Sequence, residues 1–459
     1  MQTTSHENNI TQGVIWKQLL LFFFPILLGT FFQQLYNTAD AIIVGNIAGK
    51  EALAAVGGST ATLINLLVGF FVGLSSGTTV IISQFFGARD AKQVSRAVHT
   101  SVAMAIAGGV ILMAVGLTMG PLALEWMNTP ADVIDLARQY LCIYFIGTIP
   151  SLIYNLGSGV LRAMGDSRRP LYFLIASCLV NIVLDLLLVG GFGMGVAGAA
   201  LATIISQLVS ALLTLRALCQ PGAVYQLELA KIRIAPEMLA DIIRIGLPAG
   251  LQSVMYSISN VLIQASINGF GTDVVAAWTA YSKIDCIFWM TLNSFGIAIT
   301  TFVGQNYGAG LYDRMKKGVR VCLGMAFGTT FFVTAALMAG GQWFFRMFTS
   351  DPVVLEYGVR ILWYLAPWYL SYVCVEILSG ALRGAGEAVA PMLICCIGVC
   401  AVRIAWLWLA VPLWPELETV LTSYPVTWVL TAGAFVLYYW KGGWLQRRLR
   451  RQSQQKTAV

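Results

Sequence analysis

Long apolar runs separated by short polar breaks dominate the chain. A helix needs roughly 20 apolar residues to cross a bilayer core. Twelve stretches reach that length: 16–46, 52–84, 95–120, 133–160, 170–190, 195–218, 240–268, 274–304, 318–340, 354–380, 390–411 and 420–440. Several are longer than one span needs, which predicts tilt or a kink. Pro25 lies inside the first and predicts a bend or hinge there. The pattern predicts an all-α integral membrane protein with twelve transmembrane helices. Composition sharpens this: 58% of residues are hydrophobic and 11% charged, against roughly 25% charged in an ordinary soluble domain. So little charge cannot coat a soluble surface, which argues against a cytosolic enzyme, a nucleic-acid binder and a disordered scaffold.

Charge placement sets the orientation. An even span count puts both termini on one side. If that side is the cytoplasm, most of the 28 Lys and Arg fall there. They include Arg89, Lys92 and Arg96, then Arg162, Arg168 and Arg169, then Arg314, Lys316, Lys317 and Arg320, and the basic tail 442–459. This is the positive-inside asymmetry of a multi-pass protein of the cell membrane. The tail reads as an anchor at lipid headgroups, so membrane lipids are the expected macromolecular surroundings and nucleic acid is not a partner. The nine Cys include no C-x-x-C pair and lie mostly in apolar runs, as reduced packing residues. Only His6 and His99 are histidines, which argues against a His-based metal site, and no cofactor is expected. Gly193, Gly195 and Gly198 match a dinucleotide fingerprint by letter only, since no soluble strand precedes them.

The two halves repeat at an offset of 221 residues. GSGVLRAMGDSRRP at 157–170 aligns with LSGALRGAGEAVAP at 378–391, matching Arg162 with Arg383, Gly165 with Gly386 and Pro170 with Pro391. SQFFGARD at 83–90 aligns with GQNYGAGL at 304–311. The expected domains are a six-helix lobe at 1–218, a cytoplasmic linker at 219–237, a second six-helix lobe at 238–441 and the tail. Six is even, so both lobes enter the membrane the same way, related by a pseudo-twofold along the membrane normal. Secondary transporters that move two bundles around a central site are built this way. No Walker motif points to ATP.

These elements resemble the multidrug and toxic compound extrusion (MATE) transporters. The likeness lies in G-x-L-R-x-x-G-[DE] after spans four and ten, in Q-x-x-G-A after spans two and eight, and in Pro25, Gly29, Gln33, Tyr36, Asn37 and Asp40 of the first span. The resemblance implies a two-lobed exporter. It would expel cationic amphipathic drugs or metabolites in exchange for H+ or Na+ by alternating access, and it would not be an enzyme.

Charged groups within a bilayer are costly, about 3 kcal/mol each on insertion scales, and mark function by default. Gln33, Tyr36, Asn37 and Asp40 fall on one helical face. Asn181 and Asp185 share a face of the fifth span, and Thr203 lies in the sixth. A rise of about 1.5 Å per residue puts Asp40, Asp185 and Thr203 in the outer half of one bundle. Two carboxylates there can share one proton, and with Asn181 and Thr203 they supply the oxygen ligands a Na+ ion takes. The resemblance carries the cation site onto the same residues, with Tyr36 and Asn155 as hydrogen-bonding neighbours. The second lobe departs from some members, which carry an acid in its first helix. Here that stretch has Tyr256, Asn260 and Gln264 instead. Lys283, Asp285 and Glu376 are its charged in-span groups, with Lys283 able to reach Glu376 in an expected substrate cavity shared with Gln33, Asn37, Tyr256 and Asn260. Arg403 carries no assignment. A lipid-linked precursor flippase of the same broad fold is the alternative function. A monomer is the expected state.

Overall fold

The computed structural model describes residues 10–127, 129–447 and 449. His6 and the tail from 448 onward, Leu449 excepted, lie outside the described residues. The chain is helical, with no strand among the described residues. The helices are α1 (Ile15–Ala48), α2 (Lys50–Gly87), α3 (Ala91–Trp126), α4 (Ile134–Ile146 and Thr148–Ala163, meeting at 51°), α5 (Arg168–Gly191) and α6 (Gly195–Leu218). They continue with α7 (Pro236–Asn268), α8 (Thr272–Gly308), α9 (Tyr312–Arg346), α10 (Pro352–Gly384), α11 (Val389–Leu409) and α12 (Leu417–Lys441). Eleven are individually long and apolar enough to cross a membrane, and the bent α4 makes a twelfth. Each falls on one of the predicted apolar stretches.

Two compact units emerge. One holds Leu20–Val254 and Gly304–Gly310 with the short leading segment to Gly13, and the other holds Val14–Leu19, Met255–Val303 and the chain from Leu311. In the first unit α3 packs on both parts of α4, the second part of α4 packs on α2 and α6, and α5 lies along α6. Its apolar core includes Ile43, Val44, Leu112, Leu141, Phe145, Leu152 and Val189. In the second unit α10 packs against α9 and α12. The linker is stitched into the first unit. Leu227 N–H donates to the Leu218 carbonyl (2.8 Å), Glu228 N–H to His99 Nε2 (3.1 Å) and Ala235 N–H to Thr100 Oγ1 (3.2 Å).

The repeated motif has a structural reason. Gly165 and Gly386 sit at φ +88° and +85°, a region closed to most side chains. Asp166 N–H reaches the Leu161 carbonyl (3.0 Å) and Gly165 N–H that of Arg162 (2.9 Å). Glu387 and Gly386 do the same with Leu382 (2.9 Å) and Arg383 (2.7 Å). This is the Schellman ending of a helix, formed once per half. Asp166 then caps α5, accepting from Arg168 N–H and Arg169 N–H at 3.1 Å each. The Q-x-x-G-A elements explain themselves the same way. A Cβ on Gly87 would overlap the Gln305 carbonyl, and one on Gly308 the Gln84 carbonyl, so the ends of α2 and α8 cross backbone on backbone.

Candidate cation site

Asp40 and Asp185 occupy similar local settings. Each stands just ahead of a π-helical segment, Val44–Ala48 in α1 and Leu186–Gly191 in α5. A π turn inserts an extra residue into the helical ladder and recurs at functional sites. The two π segments pack on each other and on α6. That packing carries the acids inward beside Tyr36, whose hydroxyl also neighbours Thr203.

The four oxygen-bearing residues read from the sequence are all buried: Asp40 is 7% exposed, Asn181 0%, Asp185 0% and Thr203 2%. Asp40 and Asp185 act on each other as a directly interacting pair. One Asp40 oxygen, both Asp185 oxygens, both Asn181 side-chain polar atoms and the Thr203 hydroxyl close no hydrogen bond of good geometry. Buried polar atoms without partners are rare, and each costs about 1–3 kcal/mol. Here they converge from α1, α5 and α6. Such a set of hard oxygens meets the requirement of a small cation.

The first-span stripe divides. Asp40 is buried and Tyr36 half-buried, whereas Gln33 and Asn37 are exposed. Residues 30–39 of α1 include no fully buried position, although Leu19, Phe22, Phe23 and Ile26 before them and Ile43 and Val44 after them are buried. On the opposite side, Leu28, Phe31, Leu35 and Ile42 are exposed apolar residues, as suits lipid. Asn155 is half-buried and donates to the Ser151 carbonyl of its own helix (2.9 Å).

Three further residues join the site. Tyr140 is 5% exposed and neighbours Asp40 and Tyr36. Tyr144 stacks on Tyr140 at 6.2 Å and neighbours both Tyr36 and Gln207. The Thr203 hydroxyl lies beside those of Tyr36 and Tyr140. Their sequence signal was i, i+4 spacing, Tyr140 to Tyr144 and Thr203 to Gln207, which stacks polar groups on one face.

In the second unit Tyr256 and Tyr372 share a hydroxyl hydrogen bond (3.0 Å). Glu376 lies 3.8 Å from Arg383, seven residues on, while Lys283 is exposed. The Glu376 carboxyl also fills the space beside Gly296, where a Cβ would overlap it. Asp285 lines a cavity with Asn260, and Arg403 is buried against the Tyr424 ring.

Comparison with known proteins agrees with this architecture. The MatE family model matches residues 25–187 and again 248–409, one copy per half. The probable multidrug resistance protein YpnP of Bacillus subtilis (strain 168) is 30% identical over 443 residues, covering 96% of this chain and 98% of its own. The multidrug export protein MepA of Staphylococcus aureus (strain NCTC 8325 / PS 47) is 23% identical, covering 76% and 77%. Among solved structures, a MOP superfamily transporter from Pyrococcus furiosus Vc1 (DSM3638), described as having a binding pocket of reverse polarity, superposes with a TM-score of 0.88 at 24% identity over 97% of this chain and 99% of that one. A MATE in the bent conformation gives 0.87 at 24% identity over 99% of both chains. With one family match in each half and a relative aligned from end to end, the chain belongs to the MATE family of multi-pass membrane transporters.

Proposed function

We propose that the protein is a secondary antiporter that expels organic cations, drugs or metabolites, in exchange for H+ or Na+ held at Asp40, Asn181, Asp185 and Thr203. The observation that carries this reading is the convergence of unpartnered buried oxygens from those four residues. A proton or a sodium ion relieves the repulsion between the two carboxylates and gives the orphaned atoms a partner. Loss of that ion restores the repulsion, so the niche has two distinct states to couple to transport. Tyr36, Tyr140 and Tyr144 wall the niche, and their hydroxyls supply further donors and acceptors. Names of relatives such as YpnP and MepA support drugs as cargo.

The protein acts in the cell membrane, as a monomer, with both termini in the cytoplasm and no cofactor besides the coupling ion. Alternating access delivers the ion from outside and cargo from inside. One charge crossing 100 mV gains about 2.3 kcal/mol. A monovalent cation exchanged for a single H+ moves no net charge, so such a cycle draws on the pH gradient alone.

The test is ethidium transport in proteoliposomes under independently imposed pH and sodium gradients. One gradient drives wild-type transport, and both Asp40→Asn and Asp185→Asn abolish it. Wild-type rates in both variants would overturn the site assignment.

A further inference from the structure

We propose that the second unit carries its own binding site for the cationic head of the cargo, an aromatic box with Asp285 as its counter-ion. It deepens the export reading and rests on it only for the charge of the cargo. A cavity of 260 Å³ is lined by Trp278, Tyr281, Asp285, Trp289, Tyr424 and Trp428. The rings are held by one another. Trp289 and Trp428 meet edge to face at 6.1 Å, Tyr424 and Trp428 at 5.4 Å, and Trp278 lies 5.3 Å from Tyr281. Asn260 and Ser282 line the same cavity and are exposed, giving it a polar rim, while Trp278, Tyr281 and Trp428 are buried walls and Trp289 and Tyr424 half-buried ones.

Asp285 is oriented for this task. One carboxylate oxygen accepts from the Tyr369 hydroxyl (2.5 Å), and the other from the Trp289 indole N–H (2.6 Å). Tyr369 is held in turn by Tyr281 at 2.8 Å. These bonds position the carboxylate and leave its charge uncancelled, since no ion pair reaches Asp285 among the described residues. Lys283, two positions away, is exposed. Arg403 spends itself elsewhere, 4.2 Å from the centre of the Tyr424 ring and donating to Thr427 (3.3 Å). That contact weakens Tyr424 as a cation acceptor and leaves the tryptophans as the main π faces.

Aromatic walls around an uncompensated carboxylate favour a soft organic cation over a metal ion. The rings attract it through their quadrupoles and accept its apolar substituents. Size narrows the ligand. Pockets that enclose whole drug-sized molecules run to roughly 300–1,000 Å³, so 260 Å³ holds a quaternary ammonium or one fused-ring head while the rest of the cargo projects past Asn260 and Ser282.

Tetraethylammonium titrated into the purified full-length protein tests the site, with tryptophan fluorescence as the readout. Wild type shows saturable quenching, and Asp285→Asn weakens the apparent affinity by about tenfold or more. Trp278→Leu, which spares the Asp285 hydrogen bonds, weakens it too, and Lys283→Ala does not change it. Benzoate does not compete. Unchanged affinity in both Asp285→Asn and Trp278→Leu, no saturable binding by wild type, or equal binding of benzoate would overturn the proposal. Failure of the export reading looks different: tetraethylammonium still binds in an Asp285-dependent way, but no imposed gradient drives transport by wild type.

Discussion

At the scale of single residues, the proposed cation niche has a cost in stability that can be measured apart from transport. Both Asp185 oxygens are buried and close no hydrogen bond of good geometry, the contact with Asp40 aside, and Leu has nearly the same shape without the polar atoms. Asp185→Leu is therefore expected to stabilise the fold by about 1–3 kcal/mol and to abolish export. Thermal unfolding in detergent measures the first effect and proteoliposome transport the second. A lowered midpoint would mean that the carboxylate is bonded within the fold. Thr203→Val removes one oxygen ligand at equal volume and is expected to weaken ion affinity while the protein stays folded. Asp40, Asp185, Asn181 and Thr203 were legible as buried candidate residues because an acid or amide in an apolar run has few roles. Tyr140, Tyr144 and Gln207 were not. Tyrosine is common in apolar helices for packing and interface reasons, and Gln207 lies in a helix already rich in Ser and Thr, so neither stands out from composition. The shared face of Gln33, Asn37 and Asp40 was read correctly as a face, but not its depth. Burial depends on which neighbours close over each turn, and over residues 30–39 none closes fully.

At the scale of elements, the duplicated motifs are devices of backbone geometry. Gly165 and Gly386 hold left-handed φ values, and any side chain there costs about 1–2 kcal/mol. Gly165→Ala and Gly386→Ala should each lower the thermal midpoint. Gly324 has open space around it and no strained φ. Gly324→Ala is the control, neutral or slightly stabilising. Gly87→Val should be far more damaging than either cap, because its side chain would overlap the Gln305 backbone. The sequence showed these glycines as matched positions of a repeat, while their capping role came from the left-handed φ values. The π turns after Asp40 and Asp185 could not be read from sequence. A π turn depends on what the neighbouring helix offers the displaced backbone, and hydrophobic periodicity carries no mark of it.

At the scale of the whole molecule, span number and repeat were plain in the sequence, since bilayer thickness fixes helix length whatever the packing. The break within α4 at 51° was hidden inside one apolar run, where Gly147 interrupts the helix without changing hydropathy. Orientation has a direct check. Arg233 in the linker is exposed. Trypsin should cut there in inside-out vesicles and spare it in intact cells. Cleavage from outside would reverse the assigned topology and with it the direction of transport.

Asp40 keeps a sliver of accessible surface and Asp185 has none. If the niche holds the coupling ion as proposed, that ion meets the two acids as a queue, the deeper one filled only past the shallower. The same order governs departure. A modification confined to the doorway at Asp40 should slow both loading and unloading at Asp185 while leaving the intrinsic preference of the inner acid unchanged.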